Sequence, residues 1–485
     1  MSTTISPRDA EWREELRKSH SAKERTSIAR VKMPELDAAY RVTCNEEVNQ
    51  GLTREAAVTE ATRCMDCPDP QCVTGCPVNI NIPGFIKNIE RGEFHQAALV
   101  LKETSALPAV CGRVCPQEKQ CESRCVYHKM KKEPVAIGYL ERFAADYDRT
   151  SGESTPAARP ESNGIKVAVV GSGPAGLSFA GDMAKRGYEV TVYEALHEIG
   201  GVLKYGIPEF RLPNAVVDVE IKGLEALGVT FVKDTIVGKT LSYDDLHEMG
   251  YKGIFVASGA GLPRFMGIPG ENYIGVMSCN EYLTRINLMG AGHEGYDTPV
   301  LRGKRVAVIG GGNTAMDAVR TARRMGAEVA MIVYRRSEEE MPARVEEVKH
   351  AKQEGVTFLT LHNPVEYLAD EKGRVNRMRL QRMELGEPDA SGRRSPVPVE
   401  GAIEDVDVDL VIVSVGVSPN PLIPNAISDL EVSRRGTIVV DEESMRSSLA
   451  DLYAGGDIVR GGATVILAMG DGRRAALNMH AALSR

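Results

Sequence analysis

The chain has 485 residues, too many for one hydrophobic core, so two to four domains are expected. Its formal charge, 59 basic against 67 acidic residues for a net of −8, comes with no long basic run, which argues against a nucleic-acid partner. Charged residues by position 8 leave no signal-peptide core, and no run approaches ~18 apolar residues, so a cytoplasmic protein without a membrane span is expected.

In chain order, Met1 to about Lys32 is rich in Arg, Lys, Glu and Ser and is expected to be a mobile arm or a partner-docking segment. Eight of the ten cysteines then fall in two groups. They are Cys64-x2-Cys67-x4-Cys72-x3-Cys76-Pro77 and Cys111-x3-Cys115-Pro116-x4-Cys121-x3-Cys125, leaving Cys44 and Cys279 as singles. A reducing cytosol disfavours disulfides, so grouped thiols point to metal, and both iron–sulfur clusters and zinc accept thiolate quartets. The spacing is not that of two paired zinc knuckles. A Cys-Pro ending recurs in both groups, as in ferredoxin-like ligation where one cysteine serves the other cluster. Between the groups, the spacing of Phe85, Ile86, Ile89 and Phe94 around a break at Gly92 predicts short helices with an ordinary apolar core. Val135 to Asp146 predicts a further helix, and Thr150 to Asn163, which collects Ser, Gly, Pro and Glu, a linker between two cores.

Val167 to Glu194 reads as strand, glycine turn, helix and parallel strand. Gly171 supplies the tight turn, Gly173 lets backbone approach a pyrophosphate, and Gly176 permits close helix–strand packing. Helix N-terminal amides and the helix dipole favour the anion. Glu194 stands where an acid holds a ribose 2′-hydroxyl, which suits FAD or NAD. A glycine-rich loop follows, Gly200-Gly201-Val-Leu203-Lys-Tyr-Gly206, in which backbone can run close to a flat ring. Ile254 to Ser258, followed by Gly259 and then Pro263, is a buried strand leading out of this unit.

A second unit starts at Arg305. Val306 to Ile309 leads into Gly310-Gly-Gly312-Asn313-Thr314-Ala315, a helix to Met325 and a strand that closes on Tyr334-Arg335-Arg336. Two arginines in place of the acid suit a 2′-phosphate and hence NADP, the alternative being a solvated strand end. Asp317 reads either as a helix-dipole acid or as a cofactor contact. The strand Val408 to Val413 and the turn to Pro419 mirror the exit at Ser258 to Pro263, so the chain is expected to return to the first unit. There Gly455-Gly456-Asp457 and the helix starting near Thr464 would face a flavin, with a plain surface turn as the alternative for Asp457.

From about Arg41 to Arg485 the chain resembles the small-subunit family of bacterial glutamate synthase. That family also includes the large subunit of electron-bifurcating ferredoxin:NADP⁺ oxidoreductases and the N-terminal half of dihydropyrimidine dehydrogenase. The resemblance rests on Ile-Pro-Gly-Phe-Ile-Lys at 82 to 87, Cys-Gly-Arg-Val-Cys-Pro at 111 to 116, Ile-Gly-Tyr-Leu-Glu-Arg-Phe at 137 to 143 and Tyr-Arg-Arg-Ser-Glu-Glu-Glu-Met-Pro-Ala-Arg at 334 to 344. In wording these segments look closer to the bifurcating branch. The resemblance implies an α/β protein: a helical N-terminal domain binding two [4Fe-4S] clusters (1–160), then two Rossmann-like, glutathione-reductase-type domains. These bind FAD (161–290 and 416–485) and NADP(H) (291–415). It implies one ligand set of Cys64, Cys67, Cys72 and Cys125 and another of Cys76, Cys115, Cys121 and Glu141, with Cys111 left over. The implied activity is an NADPH-dependent oxidoreductase of the glutamate synthase small-subunit type, working with a partner subunit in a hetero-oligomer. A bifurcating large subunit is the alternative, and a zinc-stabilised nucleotide-binding regulator the alternative of another class. No Cys-x2-Cys lies in the second unit, so a dithiol enzyme is not expected, and any ammonia and 2-oxoglutarate chemistry falls to another chain.

Overall fold

The computed structural model describes residues 6–153, 158–390 and 392–484. The arm is not free: α1 (Glu11–Ser19) and α2 (Ala22–Ser27) lie on the cysteine-rich region, with buried Arg13 paired to Asp66 at 2.6 Å and buried Arg25 to Glu90 at 2.8 Å. Its first five residues are outside the described ones. Arg13, Arg17, Arg25 and Arg30 each meet a buried acid, and composition alone cannot place those acids.

The cysteine-rich region is helical, as the apolar spacing predicts: α3 (Ile82–Glu90), α4 (Phe94–Lys102), α5 (Pro108–Val114) and α6 (Ile137–Thr150). Asn81 caps α3 by accepting from the Gly84 amide, and Gly92 turns the chain with φ +86°. Phe94 and Phe143 meet edge to face at 5.0 Å between α4 and α6.

The first parallel sheet runs in the order β15-β4-β1-β2-β3, from β1 (Lys166–Val170), β2 (Glu189–Tyr193), β3 (Thr230–Val232), β4 (Tyr251–Val256) and β15 (Leu452–Ala454). The last strand confirms that the chain returns to this unit. α7 (Pro174–Ala184) follows β1 and packs on the terminal helix. The second sheet, β6-β13-β7-β8-β9, is built from β6 (Val276–Ser278), β7 (Arg305–Ile309), β8 (Val329–Tyr334), β9 (Thr357–Thr360) and β13 (Leu410–Val413). α8 (Asn313–Arg324) follows β7, and α9 (Val345–Gln353) precedes β9. The two connecting segments, β5 (Leu262–Pro263) and β14 (Val417–Ser418), pair antiparallel, so the mirrored exits read in the sequence form one two-stranded crossing.

Two features depart from expectation. An antiparallel sheet of β10 (His362–Ala369), β11 (Val375–Pro388) and β12 (Arg394–Asp407) is inserted before β13; its buried side chains Tyr367, Met378 and Leu380 cover one face of the second sheet. The linker, of which 154–157 lie outside the described residues, does not separate two cores. One apolar cluster runs from Val110 and Phe143 through Val169 and Phe179 to Met469. The terminal helix α10 (Val465–Leu483) carries this continuity, since a Cβ on Gly470 would stand 2.9 Å from the carbonyl oxygen of Pro77.

Candidate functional site

At the carboxyl end of β1, Gly171 has φ +103°, and a Cβ there would lie 2.5 Å from the Ala257 carbonyl oxygen, so no other residue fits. On Gly176 a Cβ would overlap the Gly171 carbonyl oxygen at 2.0 Å, whereas a Cβ on Gly173 would meet nothing within 4 Å. The turn is closed against protein on two sides and open on the third, which is the space a pyrophosphate needs. β4 and β2 flank β1 on opposite sides, which puts the open glycine at a topological switch point.

Glu194 is fixed here by donors that the motif spacing does not announce. Its Oε2 accepts from the amide and hydroxyl of Ser172 at 2.9 and 2.5 Å, and its Oε1 from the Leu196 amide at 2.9 Å. The Ser172 hydroxyl also accepts from the Gly200 amide at 3.0 Å, tying the second glycine loop to the first. That loop is shorter than expected, because Val202–Tyr205 forms a helical turn with Leu203 buried. Gly201, at φ +55°, approaches Gly173 so closely that a Cβ would meet its Cα at 2.9 Å. Gly259 has φ +71° with open space about it. Gly456 donates to buried Asp471 at 3.1 Å, and burial pushes the neighbouring Asp457 carboxyl up to about 6. Thr464 caps α10 by accepting from the Leu467 amide at 3.4 Å.

The second unit repeats the turn. Gly310 has φ +140° with the Ser414 carbonyl oxygen 2.2 Å from a built Cβ, and a Cβ on Gly312 would meet nothing within 4 Å. Asn313 accepts from the Arg344 amide at 2.9 Å, and the Thr314 carbonyl accepts from the Cys279 thiol at 3.3 Å, so both neighbours of the turn are braced. The two arginines separate. Arg335 is exposed, while buried Arg336 donates to the Arg394 carbonyl at 2.8 Å and to Asp389 at 2.7 Å on the β11–β12 hairpin. Asp317 takes neither role expected of it: it pairs with Arg211 at 2.9 Å inside the protein, and burial pushes its carboxyl up to about 6.

The cysteines of the two groups come near one another, and Cys72 of the first group is felt by Cys121 of the second. Burial raises the Cys72 thiol, with the negative fields of Cys64, Cys125 and Cys67 adding to it. Cys64 is pushed up to about 11 by burial. In the other set, burial pushes Cys76 up to about 12, with Glu141 and Cys111 among its neighbours. The bond to Cys111 and then burial raise Cys115; burial raises Cys121, which also feels Glu122, Glu141 and Cys76. Glu141 has a buried Oε1 with no hydrogen-bond partner, and burial pushes its carboxyl up to about 8. Buried thiols around an orphaned carboxylate oxygen fit a metal group that takes the protons' place. Among the described residues no three of these sulfur atoms lie within 4.8 Å of one another. Cys111 lies among Cys76, Cys115 and Cys121 as well, hydrogen-bonded to Cys115, and its thiol also donates to the Met469 sulfur, 3.4 Å away.

A family model described as dihydropyrimidine dehydrogenase domain II, 4Fe-4S cluster, matches residues 41–153, and one described as pyridine nucleotide-disulphide oxidoreductase matches residues 165–472. The glutamate synthase [NADPH] small chain of Azospirillum brasilense is 38% identical over 450 residues, covering 92% of this chain and 92% of that one. The chain belongs to the glutamate synthase small-chain family. It is an NADPH-dependent oxidoreductase whose cofactors are FAD, NADP(H) and [4Fe-4S]. The zinc-regulator reading therefore falls, and these relatives favour the glutamate synthase branch over the bifurcating one. The NADP(+)-dependent formate dehydrogenase subunit beta of Moorella thermoacetica is 39% identical over 84% of this small-chain homologue and 59% of its own length. Among solved structures, Mycobacterium tuberculosis FprA in complex with NADPH has a TM-score of 0.56 at 22% identity, over 66% of this chain and 85% of that one, a likeness of fold. Among the described residues no helix is long and apolar enough to cross a membrane.

Proposed function

We propose that this chain is the electron-input subunit of a cytoplasmic glutamate synthase, taking electrons from NADPH and delivering them to a large partner chain that carries the ammonia and 2-oxoglutarate chemistry. The observation that carries this reading is the shared core. The Cys76, Cys115, Cys121 and Glu141 set is buried and lies against α10 of the first nucleotide unit through the Gly470–Pro77 and Cys111–Met469 contacts, whereas Cys64, Cys67, Cys72 and Cys125 are only partly buried. The inner set is thus suited to receive electrons from the FAD unit and the outer set to pass them out. FAD, when bound, supplies the conversion of a two-electron hydride into single electrons that two [4Fe-4S] clusters accept.

The residues supply position and charge. Gly171, Gly173, Gly176 and Glu194 hold the FAD pyrophosphate and ribose, with Gly201, Leu203, Gly259, Gly456, Asp457 and Thr464 around the rest of that cofactor. Gly310, Gly312, Asn313 and Thr314 form the corresponding seat for NADPH, and exposed Arg335 is free to meet its 2′-phosphate. Arg336, already paired with Asp389, holds the hairpin beside it.

The test is anaerobic purification with whichever chain accompanies the protein, followed by NADPH titration under visible absorbance and iron analysis. Flavin and cluster bands that bleach with NADPH, and a large synthase chain that co-purifies, are expected. A preparation lacking flavin, or Cys67→Ala and Cys115→Ala variants that each keep the full iron content, would overturn it.

A further inference from the structure

The N-terminal arm lies outside the residues matched by the 4Fe-4S family model, which begins at 41, yet it closes on the loop that carries Cys64, Cys67 and Cys72. Asp66 sits between the first two of these cysteines. It is fully buried and has φ +51°, a left-handed conformation uncommon for a residue with a side chain. Arg13 grips its carboxylate with two bonds, Nη2 to Oδ1 at 2.6 Å and Nε to Oδ2 at 3.0 Å; Arg17 adds a third to Oδ2 at 2.8 Å. Arg8 donates to the Asp66 carbonyl at 3.1 Å.

The second half of the arm reaches the same stretch of chain through Arg25. Arg25 donates to the Thr62 carbonyl at 2.5 Å, to Glu90 at 2.8 Å and weakly to the Cys64 carbonyl at 3.4 Å. Buried Lys87 donates to that Cys64 carbonyl at 2.6 Å. The Tyr127 hydroxyl, two residues after Cys125, bonds the Arg25 carbonyl at 3.0 Å. Four arm arginines, Arg8, Arg13, Arg17 and Arg25, therefore converge on the stretch from Thr62 to Asp66, beside the first cysteines of the outer set. The inner set has acidic neighbours in Glu122 and Glu220 beside its own Glu141, with Arg344 felt at Cys115 and Arg30 paired to Glu122 at 2.8 Å.

We infer that the arm is a strap for the outer set: Arg13 and Arg17, acting through Asp66, are positioning residues that hold the Cys64–Cys72 loop closed and lend that site positive charge. A buried carboxylate stripped of its cations would pull the loop toward water, and a cluster deprived of nearby positive charge would be harder to reduce. The inference rests on the proposed ligand sets, so Cys67→Ala serves as the control for that reading.

The holoprotein carrying Arg13→Gln and Arg17→Gln is compared with wild type for anaerobic iron release to a ferrous chelator, for the midpoint potential of each cluster by electron paramagnetic resonance, and for flavin reduction by NADPH. The expected result is release of half of the iron at least about tenfold faster, one potential shifted to more negative values, and unchanged flavin reduction, with partial restoration by Arg→Lys at both sites. Arg17→Gln alone, at a part-exposed side chain with Arg13 left in place, gives a smaller change of the same kind in a protein that folds. Wild-type release and potentials in these variants, or equal loss of both clusters, would overturn the strap. If Cys67→Ala keeps all its iron, the ligand reading fails instead; if it loses iron while the strap variants behave as wild type, the strap alone fails.

Discussion

The two nucleotide-binding units begin with the same turn and are held in the molecule by different forces. Both close their first glycine against a carbonyl of the adjacent strand end, Gly171 on Ala257 and Gly310 on Ser414, and both leave the glycine two residues on in open space. The first unit shares one apolar core with the cysteine-rich region. The second has apolar clusters of its own, and several of its contacts with the remaining chain are charged: Arg41 with Glu354 at 2.8 Å, Arg211 with Asp317 at 2.9 Å, and Arg344 with Gln117 at 2.8 Å and with the Arg113 carbonyl at 2.8 Å. A shared apolar core fixes one distance between donor and acceptor. A polar seam is exposed to mutation and pH, and it suits the unit whose nucleotide must come and go.

The comparison is broken most severely at the first glycine. Gly171→Ala places a side chain at φ +103° against fixed backbone, a conformation costing about 1–3 kcal/mol before the overlap is counted, and no soluble flavoprotein is expected. Gly173→Ala should retain the fold and lose the flavin, and Gly312→Ala should retain both and lose NADPH binding; circular dichroism, absorbance at the flavin band and NADPH titration separate the three.

Next comes the seam. Glu354 receives Arg41, Arg320 and Arg324, so Glu354→Ala removes the acid shared by three buried guanidinium groups and should cost about 3–5 kcal/mol, read as a fall in denaturation midpoint. Burial would raise its carboxyl, yet Arg320 and Arg324 bring it down to about 2 from an ordinary 4.5. Because the folded value is the lower one, its stabilisation is complete above pH 4.5 and is lost as the pH falls toward 2. Acid should therefore loosen the second unit before the first, as followed by fluorescence of bound nucleotide and of flavin.

Arg335→Ser sharpens the contrast between the strand tips. Removing one charge-assisted contact, worth about 1.5–3 kcal/mol, should lower kcat/KM for NADPH roughly 10- to 150-fold with little change for NADH. Equal loss for both nucleotides would mean that Arg335 does not read the 2′-phosphate. The smallest effect is expected from Asp389→Asn: it releases Arg336 from a part-exposed pair worth less than about 1 kcal/mol, so KM for NADPH should move less than about fivefold in steady-state kinetics.

The local chemistry of these sites is legible in the sequence because it depends on short-range geometry. Glycine at 171, 173, 176, 310 and 312, the acid at 194 and the arginines at 335 and 336 mark strand–turn–helix units whatever surrounds them, and the cysteine spacing announces metal. The mirrored exits at Ser258 and Ser414 are also readable, since a strand ending in Gly and Pro has few other uses. Contacts across long separations are not legible in this way. That Arg336 meets Asp389, that Asp317 meets Arg211 and that Arg13 meets Asp66 depends on chain folded back over 53, 106 and 53 residues. The antiparallel sheet of β10 to β12 leaves little trace in the sequence because its strands are largely polar and give no buried run. The linker misleads for a related reason: Ser, Gly and Pro mark a connection, but whether the bodies on either side share a core is settled by apolar faces such as those of α5 and α10 meeting in space. The sequence by itself determined the nucleotide folds, an iron–sulfur domain and the family. Only the tertiary structure decided which charges are spent inside the protein and which remain free for a ligand, because a charge is satisfied by its neighbours in space, and periodicity and spacing describe neighbours along the chain.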